Sequence, residues 1–202
     1  MIYNKPNSRL DECIYVAEKI IPADLCDVVV KDIETRPWEP NYWRDNRGNS
    51  LNVDQHEYTT TRELDMQIAT PQLQNKIMPF VLQSGTEYNK KYAYNKNNDL
   101  TSQIMHTCGN IRFNRYGIGQ TMKQHYDHIH NIFDGIQKGI PILSFIMNFN
   151  DDYEGADLFF WKDTIIKLGK GDIAVFPSIF LFPHGVTETI KGIRYSGVCW
   201  AW

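Results

Sequence analysis

The sequence predicts a mainly β fold with flanking helices (α+β), in which two helices from the N-terminal half pack outside a double-sheet β core. Two observations predict it. From residue 104 onward, short segments rich in Ile, Phe, Tyr and Val alternate with Gly, Asn and Asp turns, a spacing typical of a sandwich or jelly roll. Before residue 104, two segments carry apolar residues at helical spacing. Because 202 residues suffice for one sizeable core, we expect a single domain over residues 1–202.

The first predicted helix begins at Ala23, after a short predicted strand over residues 12–21. Asp24 is its predicted N-terminal cap, because a carboxylate there can accept hydrogen bonds from free backbone amides. The helix should end before Pro37, since the residue that precedes a proline avoids the helical conformation.

The second predicted helix begins at Thr70-Pro71, with Thr70 as the cap and Pro71 at the first helical position, where its missing amide proton costs nothing. Its apolar stripe continues to about Tyr94, and the polar residues 95–102 then predict a turn.

The predicted strands of the β core are short and separated by turn residues. They cover residues 111–116, 121–127, 142–148, 157–161, 165–168, 173–176, 185–186 and 195–202. Gly155 lies in one of the turns, where we expect a positive φ.

Composition excludes several classes of protein. The net charge of −3 creates no basic field for phosphate backbones, so we expect no nucleic-acid partner. No apolar run is long enough to span a membrane, and the charged N-terminus does not fit a signal peptide, so we expect a cytoplasmic protein. The scattered cysteines form no CxxC pair, which favours reduced, buried thiols at Cys13, Cys26, Cys108 and Cys199.

Residues 37–62 show no clean period and are rich in aromatic and charged side chains. Trp38, Trp43 and Arg44 could belong to a mobile lid over a substrate, because long irregular segments concentrate at active sites. An ordinary surface excursion that covers the core explains the same residues equally well. Trp161 is a fourth candidate for substrate contact, although a tryptophan at the end of a strand more often belongs to the core.

A metal site is predicted by His125 and Asp127, which stand two residues apart and therefore point to one face of a strand. His184, on a later predicted strand, is the best candidate for a third ligand. Two imidazoles and one carboxylate on one face of a metal form the facial triad of non-haem Fe(II) oxygenases. Taken alone, His-x-Asp is a weak signal, because a chain with six histidines contains such a pair by chance.

Three further residues strengthen this prediction by their order in the chain. Arg194 follows His184 by ten residues, so a hairpin can bring its guanidinium beside the metal, where it would hold a carboxylate through two hydrogen bonds. Ser196 shares the face of Arg194, and Tyr116 can reach the same carboxylate from a preceding strand. Each of the three has an ordinary structural explanation, but the whole ordered set is difficult to explain without a function.

The residues that make up this set resemble the motifs of the 2-oxoglutarate/Fe(II)-dependent dioxygenases, in their prolyl 4-hydroxylase-like branch. The resemblance covers roughly residues 104–202. It rests on RYGIGQTMKQHYD (115–127), NDDYEGADL (150–158), GDIAVFP (171–177), HGV (184–186) and RYS (194–196). The chain departs from the branch at Ala156 and Asp157, where the family usually has a second glycine and a glutamate, and at Arg194, where many prolyl 4-hydroxylases have lysine.

The resemblance implies a double-stranded β-helix (jelly roll) that binds Fe(II) through His125, Asp127 and His184. It also implies that 2-oxoglutarate chelates the iron and places its distal carboxylate on Arg194. Tyr116 and Ser196 would support that carboxylate.

The implied reaction uses O2, releases CO2 and succinate, and hydroxylates a C–H bond, with ascorbate as a candidate reductant. Because related halogenases carry Gly or Ala in place of the ligand carboxylate, Asp127 favours hydroxylation.

Three alternatives remain open at this point. A metallo-cupin would use His128, His130 and Asp134, but its second motif is missing after Pro177. A nucleic-acid demethylase would carry a second arginine where this chain has Trp200. A non-catalytic jelly-roll binding protein would need none of the ligand residues.

The substrate is not determined by these motifs, because function depends on the site and the fold hosts many reactions. A peptidyl residue, including a prolyl residue, a free amino acid or another small molecule each fits. The oligomeric state cannot be read from the sequence.

Overall fold

The computed structural model describes residues 10–41, 43–44, 50–51, 63–92, 105–127 and 141–202. These residues form a mainly β structure with two α-helices, as predicted. A 3-10 turn (Leu10–Cys13) precedes the helices α1 (Ala23–Ile33) and α2 (Pro71–Tyr92). The strands are β1 (Tyr15–Ala17), β2 (Glu39–Pro40), β3 (Trp43–Arg44), β4 (Ser50–Leu51), β5 (Asp65–Ile68), β6 (Arg112–Tyr116), β7 (Met122–His125), β8 (Leu143–Asn148), β9 (Glu154–Gly155), β10 (Leu158–Phe160), β11 (Thr164–Ile166), β12 (Ile173–Pro177), β13 (His184–Val186), β14 (Thr189–Lys191) and β15 (Arg194–Ala201).

Two antiparallel sheets form the β core. The larger sheet has seven strands in the order β1-β12-β8-β15-β6-β5-β2, and the smaller one has four in the order β11-β10-β13-β7. Strands that are neighbours in a sheet are often distant in the chain, as expected of a jelly roll. The predicted double-sheet architecture is therefore confirmed, and its strand boundaries differ from the prediction by one or two residues at most ends.

The seven-stranded sheet is buried on both faces, so its strands separate two kinds of core. On β8, Phe145 and Met147 pack with α1 and α2 in one cluster of buried apolar side chains. Ile146 points the other way and packs toward the four-stranded sheet, with residues such as Phe160 and Phe176. Side chains alternate across a strand, so the site-facing residues of this sheet occur at every second position.

The two helices begin differently. At α2, the Thr70 hydroxyl accepts a hydrogen bond from the Leu73 amide at 3.3 Å, so the predicted cap is confirmed. At α1, Pro22 occupies the capping position without a side-chain hydrogen bond, and the prediction that Asp24 caps the helix is wrong. Asp24 lies inside the first turn, where its charge can still interact favourably with the helix dipole.

The strand predicted over residues 12–21 is much shorter in the structure, because the chain turns after Ala17. Lys19 adopts a positive φ of 50°, which no strand residue can have. Its amide donates a 2.7 Å hydrogen bond to the Asp172 carboxylate, and this contact stabilises the turn.

Two composition-based predictions can be compared with the described residues. All four cysteines are free thiols, as predicted, but only Cys26 and Cys199 are buried, and the prediction of burial is wrong for the half-buried Cys13 and Cys108. Within the same part of the chain, no helix combines the length and the apolar character needed to cross a membrane. The cytoplasmic location and the single-domain organisation stay predictions.

Candidate active site

Three predicted metal ligands meet where the smaller sheet ends. His125 is the last residue of β7, and it lies directly opposite His184 on the neighbouring strand β13. Asp127 follows two residues later, just beyond the end of β7. Its carboxylate oxygens lie 3.5 Å from Nε2 of His125 and 3.6 Å from Nε2 of His184. One potential ligand atom from each residue lies within 4.8 Å of the others, a spacing that one metal ion can bridge.

Both imidazoles are held by backbone carbonyls through the nitrogen that faces away from the carboxylate. Nδ1 of His125 lies 2.8 Å from the Lys123 carbonyl oxygen, and Nδ1 of His184 lies 3.0 Å from that of Phe182. A carbonyl can only accept, so we assign the proton to Nδ1 in both rings. The Nε2 lone pairs are then directed at the space beside Asp127, as in sites where an outer hydrogen bond orients a metal-binding histidine.

The Asp127 carboxylate is oriented by two serines. The Ser144 hydroxyl donates to Oδ2 of Asp127 at 2.6 Å, and the Ser178 hydroxyl lies 2.7 Å from that of Ser144. Burial alone would raise the pKa of Asp127, but the nearby imidazoles of His184 and His125 and the hydrogen bond from Ser144 outweigh it and hold that pKa below its usual range. Burial lowers the pKa of His184. An ionised carboxylate and neutral imidazoles are the forms that bind a metal, so the residues fit Fe(II).

Arg194 is a buried cation without an anionic partner in the described part of the chain. Its side chain is only 1% exposed. Nε donates to Oδ1 of Asn148 at 2.9 Å, and Nη1 donates to the Ala156 carbonyl at 3.0 Å. Nη2 is buried and has no hydrogen-bond partner among the described residues. A buried charge of this kind is costly unless it is paired, so the site fits the distal carboxylate of 2-oxoglutarate.

Asn148 is a positioning residue that the sequence analysis missed. Its Oδ1 accepts from Arg194, while its Nδ2 donates to the carbonyls of Asn150 at 2.7 Å and Leu168 at 3.0 Å. The sequence signal for Asn148 lies in β8, an otherwise apolar strand in which the polar residues Ser144 and Asn148 share one face. Both point toward the site, so a search for polar residues at every second position would have found them.

Tyr116 and Ser196 lie beside Arg194, where they were expected. Tyr116 is directly opposite Arg194 across β6 and β15, and the guanidinium carbon lies 5.6 Å from the centre of its ring. Ser196 lines the same cavity as Tyr116 and Arg194. Burial raises the pKa of Tyr116, although Arg194 and Arg112 lower it in part, so the phenol keeps its proton and can donate to a carboxylate.

The predicted ligands and the predicted clamp share one cavity between the two sheets. Its lining comprises Arg112, Asn114, Tyr116, Met122, His125, Asp127, Ile146, Leu158, His184, Gly185, Val186, Arg194, Ser196, Val198 and Trp200.

The candidate substrate residues are not brought together with this cavity. Trp38 packs on the other face of the sheet, where its ring lies 4.8 Å from the Arg115 guanidinium carbon. Trp161 donates to the Leu181 carbonyl at 3.0 Å and does not line the cavity either. The side chains of Trp43 and Arg44 lie outside the described residues, so the lid stays a prediction.

Residues 128–130 and 134 of the alternative cupin motif also lie outside the described part of the chain. The position that distinguishes the nucleic-acid demethylases is described, and there Trp200 contributes its ring to the cavity wall.

Comparison with known families decides the class of this site. The family model described as the 2OG-Fe(II) oxygenase superfamily matches residues 111–202, a range that contains all three candidate ligands and Arg194. Residues 111–202 therefore match the 2OG-Fe(II) oxygenase superfamily. Among curated protein sequences, none matches the chain.

Solved structures with the same fold include several prolyl hydroxylases. The viral collagen prolyl hydroxylase of Paramecium Bursaria Chlorella virus-1, solved with 2OG, has a TM-score of 0.62 at 13% identity over 96% of this chain and 98% of its own. A Pseudomonas putida prolyl-4-hydroxylase has a TM-score of 0.60 at 16% identity over 94% and 92%. A Trichoplax adhaerens prolyl hydroxylase, in complex with a hypoxia inducible factor peptide fragment, has a TM-score of 0.65 at 10% identity over 94% and 83%.

At these identities, the neighbours show the fold, and it agrees with the prolyl 4-hydroxylase-like branch that the sequence resembles. The match of residues 111–202 to this superfamily supports a 2-oxoglutarate-dependent dioxygenase whose reaction requires Fe(II), 2-oxoglutarate and O2.

Proposed function

We propose that this oxygenase hydroxylates a C–H bond of a peptidyl substrate, with a prolyl residue as the first candidate. In this proposal, His125, Asp127 and His184 hold Fe(II), while Arg194, Tyr116 and Ser196 hold the distal carboxylate of 2-oxoglutarate. A small-molecule substrate with the same reacting group would use the same residues.

The observation that carries the assignment is the buried guanidinium of Arg194. It shares a cavity with two imidazoles and one ionised carboxylate, and no described acidic residue forms an ion pair with it. A ligand that chelates a metal at one end and carries a carboxylate at the other complements both features. 2-Oxoglutarate has this chemistry.

The residues of this chain prepare the site before any substrate enters. Ser144 and the two backbone carbonyls orient the ligands, and Asn148 holds the guanidinium toward the cavity. Apolar residues such as Leu158 and Val186 exclude water, which strengthens the interaction between Arg194 and a carboxylate. When bound, Fe(II) supplies the oxidising chemistry with O2, which the protein's own side chains cannot provide.

Support for a peptidyl substrate comes from the structural neighbours, because the Trichoplax relative is solved with a peptide fragment. We further propose that ascorbate sustains turnover by keeping the iron reduced.

The test measures succinate release from 2-oxoglutarate with purified protein, Fe(II), ascorbate and a panel of proline-containing peptides and free amino acids. We expect succinate only when Fe(II), 2-oxoglutarate and O2 are all present, and a mass gain of one oxygen atom in the substrate. Arg194→Gln should suppress succinate release at low 2-oxoglutarate, while Arg115→Gln should not, because Arg115 lies on the opposite face of the sheet. Absence of anaerobic Fe(II) binding by the wild-type protein would refute the proposed ligands.

A further inference from the structure

A second arginine, Arg112, lines the cavity and has no role in the site described above. It begins β6, and it points to the same face as Asn114 and Tyr116 because residues two apart share a face. Its Nε is buried and has no hydrogen-bond partner, and no ion pair connects Arg112 to any described residue. Burial lowers the pKa of Arg112, but a guanidinium stays charged in proteins.

Trp200 supplies a second unpaired donor in the same corner of the cavity. The Arg112 guanidinium carbon lies 5.6 Å from the centre of the Trp200 ring, a distance at which a cation and an indole attract each other. Nε1 of Trp200 is also buried, and it has no hydrogen-bond partner in the part of the chain that the structure describes. An indole N–H and a guanidinium N–H can only donate, so the group that complements this corner is an acceptor, and a negatively charged one fits the cation.

The strand register separates this corner from the site of 2-oxoglutarate. Arg112 pairs with Val198, whereas Tyr116 pairs with Arg194, four residues away on β6, which corresponds to about 13 Å along a strand. Ser144, which holds Asp127, pairs with Trp200. Arg112 and Trp200 are therefore near the level of the ligand carboxylate, and Arg194 is at the other end of the cavity. 2-Oxoglutarate, a five-carbon diacid, would extend from the metal ligands to Arg194. Arg112 would then remain available to bind a different ligand.

The acidic groups around Arg112 are already engaged. The ionisable groups near it are Tyr116, whose phenol keeps its proton, and the carboxylates of Asp127 and Glu63. Asp127 is oriented toward the metal ligands, and Glu63 accepts a 2.9 Å hydrogen bond from Asn41. Neither forms an ion pair with Arg112.

We propose that Arg112 and Nε1 of Trp200 bind a carboxylate of the substrate, which makes this oxygenase selective for acidic substrates. This inference rests on the proposed function. The carboxylate has two possible sources: the main-chain carboxylate of a free amino acid, or an acidic side chain beside the hydroxylated residue of a peptide.

Binding measurements with two matched pairs of probes test the inference and separate the two sources. The protein is loaded anaerobically with Fe(II) and saturating 2-oxoglutarate, so that the Arg194 end is filled and no turnover occurs. Calorimetry then compares L-proline with L-prolinamide, and acetyl-Ala-Pro-Glu-amide with acetyl-Ala-Pro-Gln-amide. We expect the acidic member of one pair to bind at least about tenfold more tightly than its neutral partner, because a hydrogen bond to a charged group has an effect of this size.

The variants decide whether Arg112 causes that preference. Arg112→Gln should abolish it, and Arg112→Lys should retain part of it. Arg115→Gln, on the other face of the same strand, is the matched control and should keep it in full. Thermal unfolding of each variant checks that the fold is intact, and Trp200→Phe, which keeps the ring and loses only the N–H, should weaken the preference without abolishing it.

Three results would overturn the inference: equal binding within both pairs, a preference that survives Arg112→Gln, or weaker 2-oxoglutarate binding in that variant, which would assign Arg112 to the co-substrate. Failure of the proposed function is distinguishable from these results, because wild-type protein would then not bind 2-oxoglutarate at all.

Discussion

Ser144 and Asp127 are joined by a 2.6 Å hydrogen bond although they lie 17 residues apart in the chain. The hydroxyl donates to the carboxylate oxygen that also faces His184, so it selects the orientation in which both carboxylate oxygens point toward imidazoles. The candidate metal site thus depends on a residue that is not itself a predicted ligand.

Ser144→Ala should weaken Fe(II) binding roughly 10- to 100-fold, because outer hydrogen bonds of metal ligands have effects of this size. The affinity is measured anaerobically by calorimetry. Ser178→Ala is the graded control: it removes a hydrogen bond to Ser144 and leaves the one to Asp127, so its effect should be smaller. Unchanged iron affinity in Ser144→Ala would show that Asp127 is held by other contacts.

His125→Ala should abolish Fe(II) binding, and His130→Ala should not. The pair decides between the oxygenase triad and the cupin motif at residues 128–134. Fe(II) at about 100 times its Kd should stabilise the wild-type protein by about 2.7 kcal/mol, and thermal unfolding under nitrogen measures this. Loss of that stabilisation in His130→Ala, with His125→Ala unaffected, would favour the cupin motif.

Arg194→Lys should raise the KM for 2-oxoglutarate about tenfold and Arg194→Gln by more, since an ammonium keeps the charge but loses the paired hydrogen bonds of a guanidinium. Iron affinity should stay within about twofold in both variants, because Arg194 contacts no ligand residue among the described contacts. Steady-state kinetics with varied 2-oxoglutarate measures the effect, and a change in Fe(II) affinity of equal size would contradict it.

The free energy of unfolding should fall as the pH rises above about 10. Burial, with Glu34 nearby, raises the pKa of Tyr195 from 10.0 to about 12, and burial also raises the pKa of Tyr88. The unfolded chain therefore releases these protons first, so stability is fully present below pH 10 and is lost as the pH rises toward 12. The loss from Tyr195 is roughly 2–3 kcal/mol.

Urea unfolding between pH 7 and pH 12 measures this loss. In Tyr195→Phe, the free energy of unfolding should fall less between pH 7 and pH 12 than it does in the wild-type protein. An equal fall would show that other groups cause the loss of stability.

Gly155→Ala should destabilise the protein considerably more than Gly119→Ala. Both glycines have a positive φ, 76° and 78°, so each alanine is strained by about 1–2 kcal/mol. At Gly155, the added Cβ would also lie 2.2 Å from the Glu188 carbonyl oxygen, whereas nothing lies within 4 Å at Gly119. Equal losses of thermal stability in the two variants would mean that the backbone at Gly155 can move aside.

Much of this protein could be predicted from sequence because its signals are local. Alternation along a strand placed His125 and Asp127 on one side, and the Thr70-Pro71 pair marked the start of α2. The ten residues from His184 to Arg194 predicted that a hairpin brings both to one site. The structure places both at one cavity, but the hairpin is wrong, because β13 belongs to the smaller sheet and β15 to the larger one.

Contacts between distant segments could not be predicted in this way. Asn148 meets Arg194 across 46 residues, and Arg112 meets Trp200 because β6 and β15 are neighbours in the sheet. Trp38 was a candidate for the lid, yet it packs against the outer face of the seven-stranded sheet. Its position could not be predicted because it depends on how the chain crosses that sheet.

The sequence by itself determined the fold class, the family motifs and the residue types of the site. Only the tertiary structure decided which of the two buried faces of each strand faces the cavity. The physical reason lies in strands such as β8, where the outer face packs against helices and the inner face against the second sheet. Both faces are apolar there, so hydropathy does not distinguish them, and the positions of Ser144, Asn148 and Arg112 become meaningful only once the sheets are assembled.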